Sequence, residues 1–275
     1  MSKIDLIIHF IVKVKRDDIF ALASQLAYYL VLSFFPFLMF LFTLIGFINL
    51  DSTTVLEALQ TILPITVFEL VETIILEIVD SQNTGLLGVS VLLAVWTASS
   101  GFRAVIKGVN KAYNLHENRN YIRRAIMSFL SIIALAITIL LSLSLLVFGD
   151  VISKHLISNL PFSEVLNIVW NILRYGVIIL ILILIFASIY RYTPAEKVKW
   201  KYVLPGAVFT TIGWLIISVV FSFYINNYSN YSRFYGSLAA VFILMIWLFL
   251  TSIIFMLGVE INAVLEINKV NKKNK

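Results

Sequence analysis

The sequence predicts an all-α integral membrane protein with six transmembrane helices and both termini in the cytoplasm. Hydrophobic residues make up 60% of the 275 residues and charged residues only 13%, which is far outside the composition of soluble domains. Six apolar stretches are each long enough to cross a hydrocarbon core about 30 Å thick. Lys and Arg are concentrated in alternate loops, as the positive-inside rule requires of a multi-pass protein.

The first 20 residues are expected to form an amphipathic helix on the membrane surface. Isoleucines at helical spacing share one face, and basic residues occupy the other. The two sets are Ile4, Ile7, Ile8 and Ile11 against Lys3, Lys13, Lys15 and Arg16. No small-residue cleavage site follows, so we do not expect a signal peptide.

The six spans are predicted at residues 24–48, 86–106, 126–148, 169–190, 203–225 and 237–265. Together with the N-terminal helix they form a single membrane domain over residues 1–267. The Lys- and Asn-rich residues 268–275 are expected to be a disordered tail. Pro36 lies in the middle of the first span and predicts a kink there. Pro205 lies near the start of the fifth span, where proline is tolerated.

The distribution of basic residues predicts the topology independently of hydropathy. The N-terminus, the second and fourth loops and the tail hold nearly all Lys and Arg, whereas the other loops hold only Lys154, Arg174 and Arg233. Six spans place all the basic segments in the cytoplasm. The same rule, with attraction to anionic lipid, explains the net charge of +6 without a nucleic-acid partner.

The first external segment, residues 51–80, is acidic and contains no Lys or Arg. Its apolar residues follow helical spacing. We expect one or two amphipathic helices that pack against the bundle from outside. The simpler interpretation is a lid over the external face.

One polar cluster is predicted at the cytoplasmic boundary of the membrane. Trp96, Ser99 or Ser100, and Arg103 recur at steps of three or four, so one helix carries them on a single stripe. A rise of about 1.5 Å per residue places Arg103 and Glu260 at similar depth, near the inner end of their spans. Gln25 lies at the same level, with Tyr28 one turn deeper in the membrane.

We hypothesise that Arg103 pairs with Glu260, because pairing relieves the cost of two charges in lipid. Two interpretations stay open. The pair is either part of a polar cleft that receives a headgroup or ion, or a structural brace that tethers two helices.

A second cluster is predicted on the external side, at residues 224–237. Tyrosines alternate there with small polar residues around a single arginine. An aromatic belt at the membrane interface explains the tyrosines. The alternative is a hairpin that binds a sugar or phosphate headgroup through Tyr231, Arg233 and Tyr235.

The sequence does not predict an enzyme or a cofactor. Cysteine is absent, which excludes disulfides and thiol catalysis. The predicted topology separates His155 from His9 and His116, so the three histidines cannot form one metal site. No HExxH, nucleophile-elbow or phosphate-loop motif is present.

Several motifs resemble the YihY/virulence factor BrkB family (UPF0761), bacterial six-span membrane proteins once called ribonuclease BN. The motifs are LASQLAYYLVLSFFP (22–36), GLLG (85–88), WTASSGFRAVIKGVNKAY (96–113), YRYTP (190–194), VLPGA (203–207), YSRFYGSLAAV (231–241) and LGVEINA (257–263). Val259 stands where the family usually has Ala. Asn262, within the last motif, joins the candidate substrate-binding residues.

The resemblance implies a protein of the bacterial cytoplasmic membrane with an envelope-related or transport role. We expect a transporter or flippase-like protein for a lipid or envelope precursor, with membrane lipids as partners. A non-transporting scaffold for envelope machinery is the alternative. Ribonuclease activity is not expected, because the metal ligands it would need are missing. The oligomeric state stays open.

Overall fold

A computed structural model describes residues 3–47, 56–57, 60, 68–69, 72, 84–152, 163–228 and 238–273. Within them the chain is helical, with no strand. The helices are α1 (Lys3–Arg16), α2 (Ile19–Phe47), α3 (Thr84–Ala112), α4 (Tyr121–Ile152), α5 (Ser163–Tyr192), α6 (Trp200–Tyr228) and α7 (Ala239–Lys273). This confirms the all-helical membrane class.

Two short turns at one end of the molecule are explained by the residues that form them. Asp18 has a φ of 53° and Asn114 a φ of 54°, a left-handed conformation that Asp and Asn tolerate better than most residues. Asp18 therefore ends α1 before α2 begins. Asn114 ends α3, and the Leu115 amide caps it by donating to the Asn110 carbonyl at 2.9 Å.

Four helices of the described residues are long and apolar enough to cross a membrane. Their spanning stretches are Tyr121–Ser142, Glu164–Tyr192, Trp200–Ile225 and Ala239–Ile267. In α2 the described apolar stretch is shorter, Ile19–Phe34. The polar stripe of α3 lowers the hydropathy of that 29-residue helix. Six spans and cytoplasmic termini therefore stay predictions.

The helices extend beyond the predicted spans. α2 continues through Pro36, and α7 continues to Lys273, into the segment expected to be a disordered tail. No helix breaker occurs between Ile267 and Lys273, so the helix has no reason to stop at the membrane boundary. The acidic segment predicted at residues 51–80 lies almost entirely outside the described residues.

α7 is the central helix of the described bundle. It packs against α6 and α2, while α2 also packs along α3, and α5 packs on α6. Of the apolar stretch of α7, 44% is buried inside the protein, against 11% for α5. The outward faces of α5 and α6 expose large apolar side chains such as Ile172 and Val219, as expected of lipid-facing surfaces.

The buried core lies toward the end of the bundle that carries the basic segments, here called the basic end. Small residues, including Ala23, Ala112, Ala187 and Ala207, are fully or almost fully buried there. Small side chains let helix backbones approach closely. The basic end therefore holds the tightest packing and fixes the polar side chains described next.

Candidate functional site

A groove of about 580 Å³ opens at the basic end, between α2, α3 and the start of α4. It is called the basic groove. Its lining residues are Gln25, Tyr29, Ser100, Arg103, Ala104, Ile106, Lys107, Asn110, Lys111, Leu115, Glu117 and Arg124. Two predicted site residues, Gln25 and Arg103, therefore lie in one cavity.

The α3 stripe supplies most of the polar side chains of the groove. Arg103 Nη2 donates to Ser100 Oγ at 2.6 Å, and Lys107 Nζ donates to Gln25 Oε1 at 3.3 Å. Residues at steps of three or four share one helix face, so Ser100, Arg103, Lys107 and Lys111 line one wall. No described carboxylate forms an ion pair with these three cations.

The predicted pair between Arg103 and Glu260 is wrong. Glu260 is fully buried, and its Oε2 accepts a hydrogen bond from Lys13 Nζ at 2.6 Å. Arg103 instead faces the groove and bonds Ser100. The pair was predicted from depth. In the structure α2 packs against both α3 and α7, which make few contacts with each other, and Lys13 of α1 binds the Glu260 carboxylate.

Lys13 is the centre of a buried charge cluster. Its ammonium donates to Asp17 Oδ2 at 2.6 Å, to Glu260 Oε2 at 2.6 Å and to the carbonyl oxygen of Ala112. Arg16 Nε donates to the other oxygen of Asp17 at 3.0 Å. The cluster therefore joins α1 to the end of α3 and to α7.

The same cluster corrects the interpretation of α1. Lys13 was expected on a solvated polar face, yet its side chain is 2% exposed. Ile7, Ile8 and Ile11 are exposed, in keeping with a membrane-surface face. Burial raises the pKa of Asp17, but the hydrogen bonds and charges of Arg16 and Lys13 outweigh burial and hold that pKa below its ordinary value.

Glu117 holds Arg119 and Asn110, the two side chains that connect the loop after α3 to the loop after α5. Its carboxylate accepts from Arg119 Nε at 2.7 Å, from Arg119 Nη2 at 2.6 Å and from Asn110 Nδ2 at 2.8 Å. Arg119 Nη2 also donates to the Thr193 carbonyl, and Asn110 Oδ1 accepts from the Ala195 amide. The hydrogen bond from Arg119 is the main reason that the pKa of Glu117 is lowered.

Asn262 belongs to a tight crossing of α6 and α7 and not to the groove. Its Oδ1 accepts from the Gly206 amide at 2.7 Å. A Cβ at Gly206 would overlap the Gly258 carbonyl, and a Cβ at Gly258 would overlap Thr210. Tyr190 OH bonds Thr210 Oγ1 at 2.7 Å and donates to the Phe255 carbonyl at 2.9 Å.

None of the other predicted site residues that the structure describes lines the basic groove. Tyr28 and Trp96 are 60% and 70% exposed on the outer surface, and Ser99 is buried. Tyr231, Arg233 and Tyr235 lie outside the described residues. The described part of the chain contains no group of three metal-ligating side chains.

Sequence reasoning missed Lys13, Asp17, Asn110 and Arg124. The spacing of Lys13 and Asp17, four residues apart, is the one local signal for a paired lysine. Asn110 resembles an ordinary helix-end residue in the sequence, because its partners come from loops 7 and 85 positions away. Arg124 enters the groove only because α4 begins beside α3.

The Virulence factor BrkB family matches residues 10–275. A Bacillus subtilis ribonuclease-like protein, YfkH, is 39% identical over 90% of this chain and 90% of its own length. A UPF0761 membrane protein of Vibrio cholerae is 29% identical over 72% of this chain and 64% of its own length. A third relative, from Vibrio campbellii, is 28% identical over 92% of this chain and 79% of its own length.

No solved structure matches the chain. The relatives named as membrane proteins agree with the apolar helices described above. The chain belongs to the Virulence factor BrkB family and is a multi-pass bacterial membrane protein.

Proposed function

We propose that this protein is a transporter or flippase-like protein for a lipid or envelope precursor, whose polar part enters through the basic groove. One observation carries the proposal. The groove is open and lined by several charged and polar side chains, and it lies on a helix that continues as an exposed apolar surface toward the other end of the bundle. An amphipathic substrate needs such a junction of polar and apolar surface.

A flux experiment tests the proposal. The purified protein is placed in liposomes that contain anionic phospholipid with a fluorescent acyl chain, and a membrane-impermeant reductant bleaches the outer leaflet. Active protein should expose the inner-leaflet pool to the reductant. Arg103→Gln should slow this step about five-fold, if one basic residue near a membrane is worth about 1 kcal/mol.

Arg123→Gln is the matched control, because Arg123 is exposed and does not line the groove. It should transport at the rate of the unmodified protein. A rate equal to that of protein-free liposomes, for this lipid and for labelled envelope precursors, would contradict the transport proposal.

A non-transporting scaffold is the second candidate. The helices close over Glu260, which bonds Lys13 and does not line the basic groove. That packing is what a brace requires. A scaffold would show no flux but would retain envelope proteins during purification, and retention should depend on the exposed surface of the loops.

Ribonuclease-like is part of the name of the Bacillus subtilis relative. We propose that this chain is not an enzyme. Incubation of RNA with the purified protein should leave the RNA intact, in parallel with a mock preparation from cells that lack the protein.

A further inference from the structure

We infer that the basic groove is a binding site for one anionic lipid whose headgroup carries a phosphate. Arg103, Lys107, Lys111 and Arg124 would contact the phosphate. The inference deepens the proposed function, on which it rests for the lipid-facing role of the groove.

The groove carries more positive than negative charge. Four cationic side chains line it with one carboxylate, Glu117. That carboxylate is already bound, since Arg119 and Asn110 occupy its two oxygens. The groove therefore holds several positive charges whose mutual repulsion an anion would relieve. A phosphate group suits arginine and lysine donors in geometry and charge.

One hydrogen-bond donor of a groove residue has no acceptor among the described residues. Arg124 Nε is buried and has no hydrogen-bond partner among the described residues. A buried donor without an acceptor is unfavourable, so a ligand oxygen that reaches Arg124 Nε would be favoured. Arg124 belongs to α4 and the other three cations belong to α3, so two helices contribute cations to the same groove.

An apolar surface beside the groove favours a lipid over a soluble phosphate. Toward the middle of α2 and α3, the faces that line the groove continue as an apolar seam. Its members are Leu32, Leu92, Leu93 and Trp96, all exposed on the protein surface. Leu32 follows Gln25 and Tyr29 on one face of α2, and Trp96 precedes Ser100 and Arg103 on one face of α3. Acyl chains would cover this seam.

The size of the groove agrees with a headgroup. Its volume of about 580 Å³ falls within the range of about 300–1,000 Å³ for small-molecule sites. The floor is made by buried residues of α3, among them Ala104 and Ile106. These buried residues hold the α3 backbone that carries Arg103, Lys107 and Lys111.

Native mass spectrometry of the detergent-solubilised protein tests the inference. The probes are phosphatidylglycerol, phosphatidylcholine and glycerol 3-phosphate, each added over a range of concentrations. We expect one phosphatidylglycerol per chain, bound more tightly than phosphatidylcholine. Arg124→Gln should weaken this binding about five-fold, in line with about 1 kcal/mol per basic residue. Arg123→Gln should leave it unchanged.

The outcomes separate the alternatives. Equal weakening by Arg124→Gln and Arg123→Gln would show diffuse attraction to the basic end and overturn the site. Glycerol 3-phosphate that displaces the lipid at equal concentration would overturn the lipid assignment in favour of a small-anion site. Specific lipid binding without flux in liposomes would leave the site intact and reject transport, so the two proposals fail separately.

Discussion

Lys13 uses all three of its ammonium protons inside the protein. Its acceptors are two carboxylates and the Ala112 carbonyl, which caps the polar end of α3 with a cation. Cations favour helix C-termini because of the helix dipole. A buried lysine is expensive to desolvate, and only such complete pairing makes it tolerable.

Removal of Lys13 should destabilise the protein strongly. Lys13→Met removes the cation of the buried Glu260 carboxylate, and breaking such a buried pair costs about 3–5 kcal/mol. We expect a clearly lower melting temperature in detergent, followed by tryptophan fluorescence. Lys15→Met is the control, because Lys15 is exposed.

The double variant Lys13→Met with Glu260→Met should recover most of the loss, since an apolar pair can replace a buried ion pair. Equal melting temperatures for Lys13→Met and Lys15→Met would contradict the assignment of Lys13 to the buried cluster.

Glu117 predicts a dependence of stability on pH. The pKa of Glu117 is lowered in the folded protein, mainly by the hydrogen bond from Arg119, so the carboxylate stabilises the fold above its ordinary pKa of 4.5. That contribution is lost as the pH falls below 4.5 through the folded pKa. The melting temperature of Glu117→Gln should therefore fall less than that of the unmodified protein when the pH is lowered from 5 to about 3.

Glu164→Gln serves as the control for this pH profile, because Glu164 is an exposed carboxylate at the start of α5, away from the basic end. It should leave the acid limb of the profile unchanged. An identical acid limb in the unmodified protein and in Glu117→Gln would refute the contribution of Glu117.

Individual residues show where sequence reasoning reaches its limit. The stripe that contains Arg103 follows from helical spacing alone, and the structure places that stripe on the wall of a groove. The partner of Glu260 does not follow, because it depends on how α1 folds back onto the bundle. Many side chains lie at the same depth as Glu260, so depth does not identify its partner. Only the packing of α1 and α2 in the folded bundle brings Lys13 to it.

At the scale of elements, the crossing of α6 and α7 depends on two glycines. Gly206 and Gly258 bring the helix backbones together, and Tyr190 ties α5 to the same place. Close approach of this kind is common between membrane helices with small residues. The helices themselves were predictable from hydropathy, but this contact between distant segments was not.

Alanine at these glycines should disturb the crossing. Gly206→Ala would overlap the Gly258 carbonyl and the Asn262 side chain, and overpacking typically costs about 1–3 kcal/mol. We expect a lower melting temperature for Gly206→Ala. Gly176→Ala is the matched control, because nothing lies within 4 Å of its added Cβ.

Gly176→Ala should instead stabilise α5 slightly, by about 0.5–1 kcal/mol, since glycine is unfavourable inside a helix. A Gly206→Ala variant as stable as Gly176→Ala would show that close contact between α6 and α7 does not contribute to stability.

At the scale of the whole molecule, the basic segments meet at one end. Arg16 bonds Asn114, and Arg119 bonds the Thr193 carbonyl, so the N-terminus and the second and fourth loops are in contact. The sequence predicted the helical membrane class from composition and grouped these segments by charge. It could not locate the groove, because three helices create that space jointly.

Cysteine labelling tests the predicted topology. The chain contains no cysteine, so a single introduced thiol has no background. Lys197→Cys, in the fourth loop, should react with a membrane-impermeant maleimide only after the cells are permeabilised. Lys154→Cys, in the predicted third loop, should react in intact cells. The reverse pattern would invert the topology.

The contact between Lys13 and Glu260 has a consequence for the order of assembly. The two residues are 247 positions apart, and the ribosome makes α1 first and α7 last. Of the three acceptors of Lys13, the Glu260 carboxylate is the last to be synthesised, after Asp17 and the Ala112 carbonyl. The ion pair between Lys13 and Glu260 therefore forms only after α7 has been made, and a chain that ends before α7 lacks it.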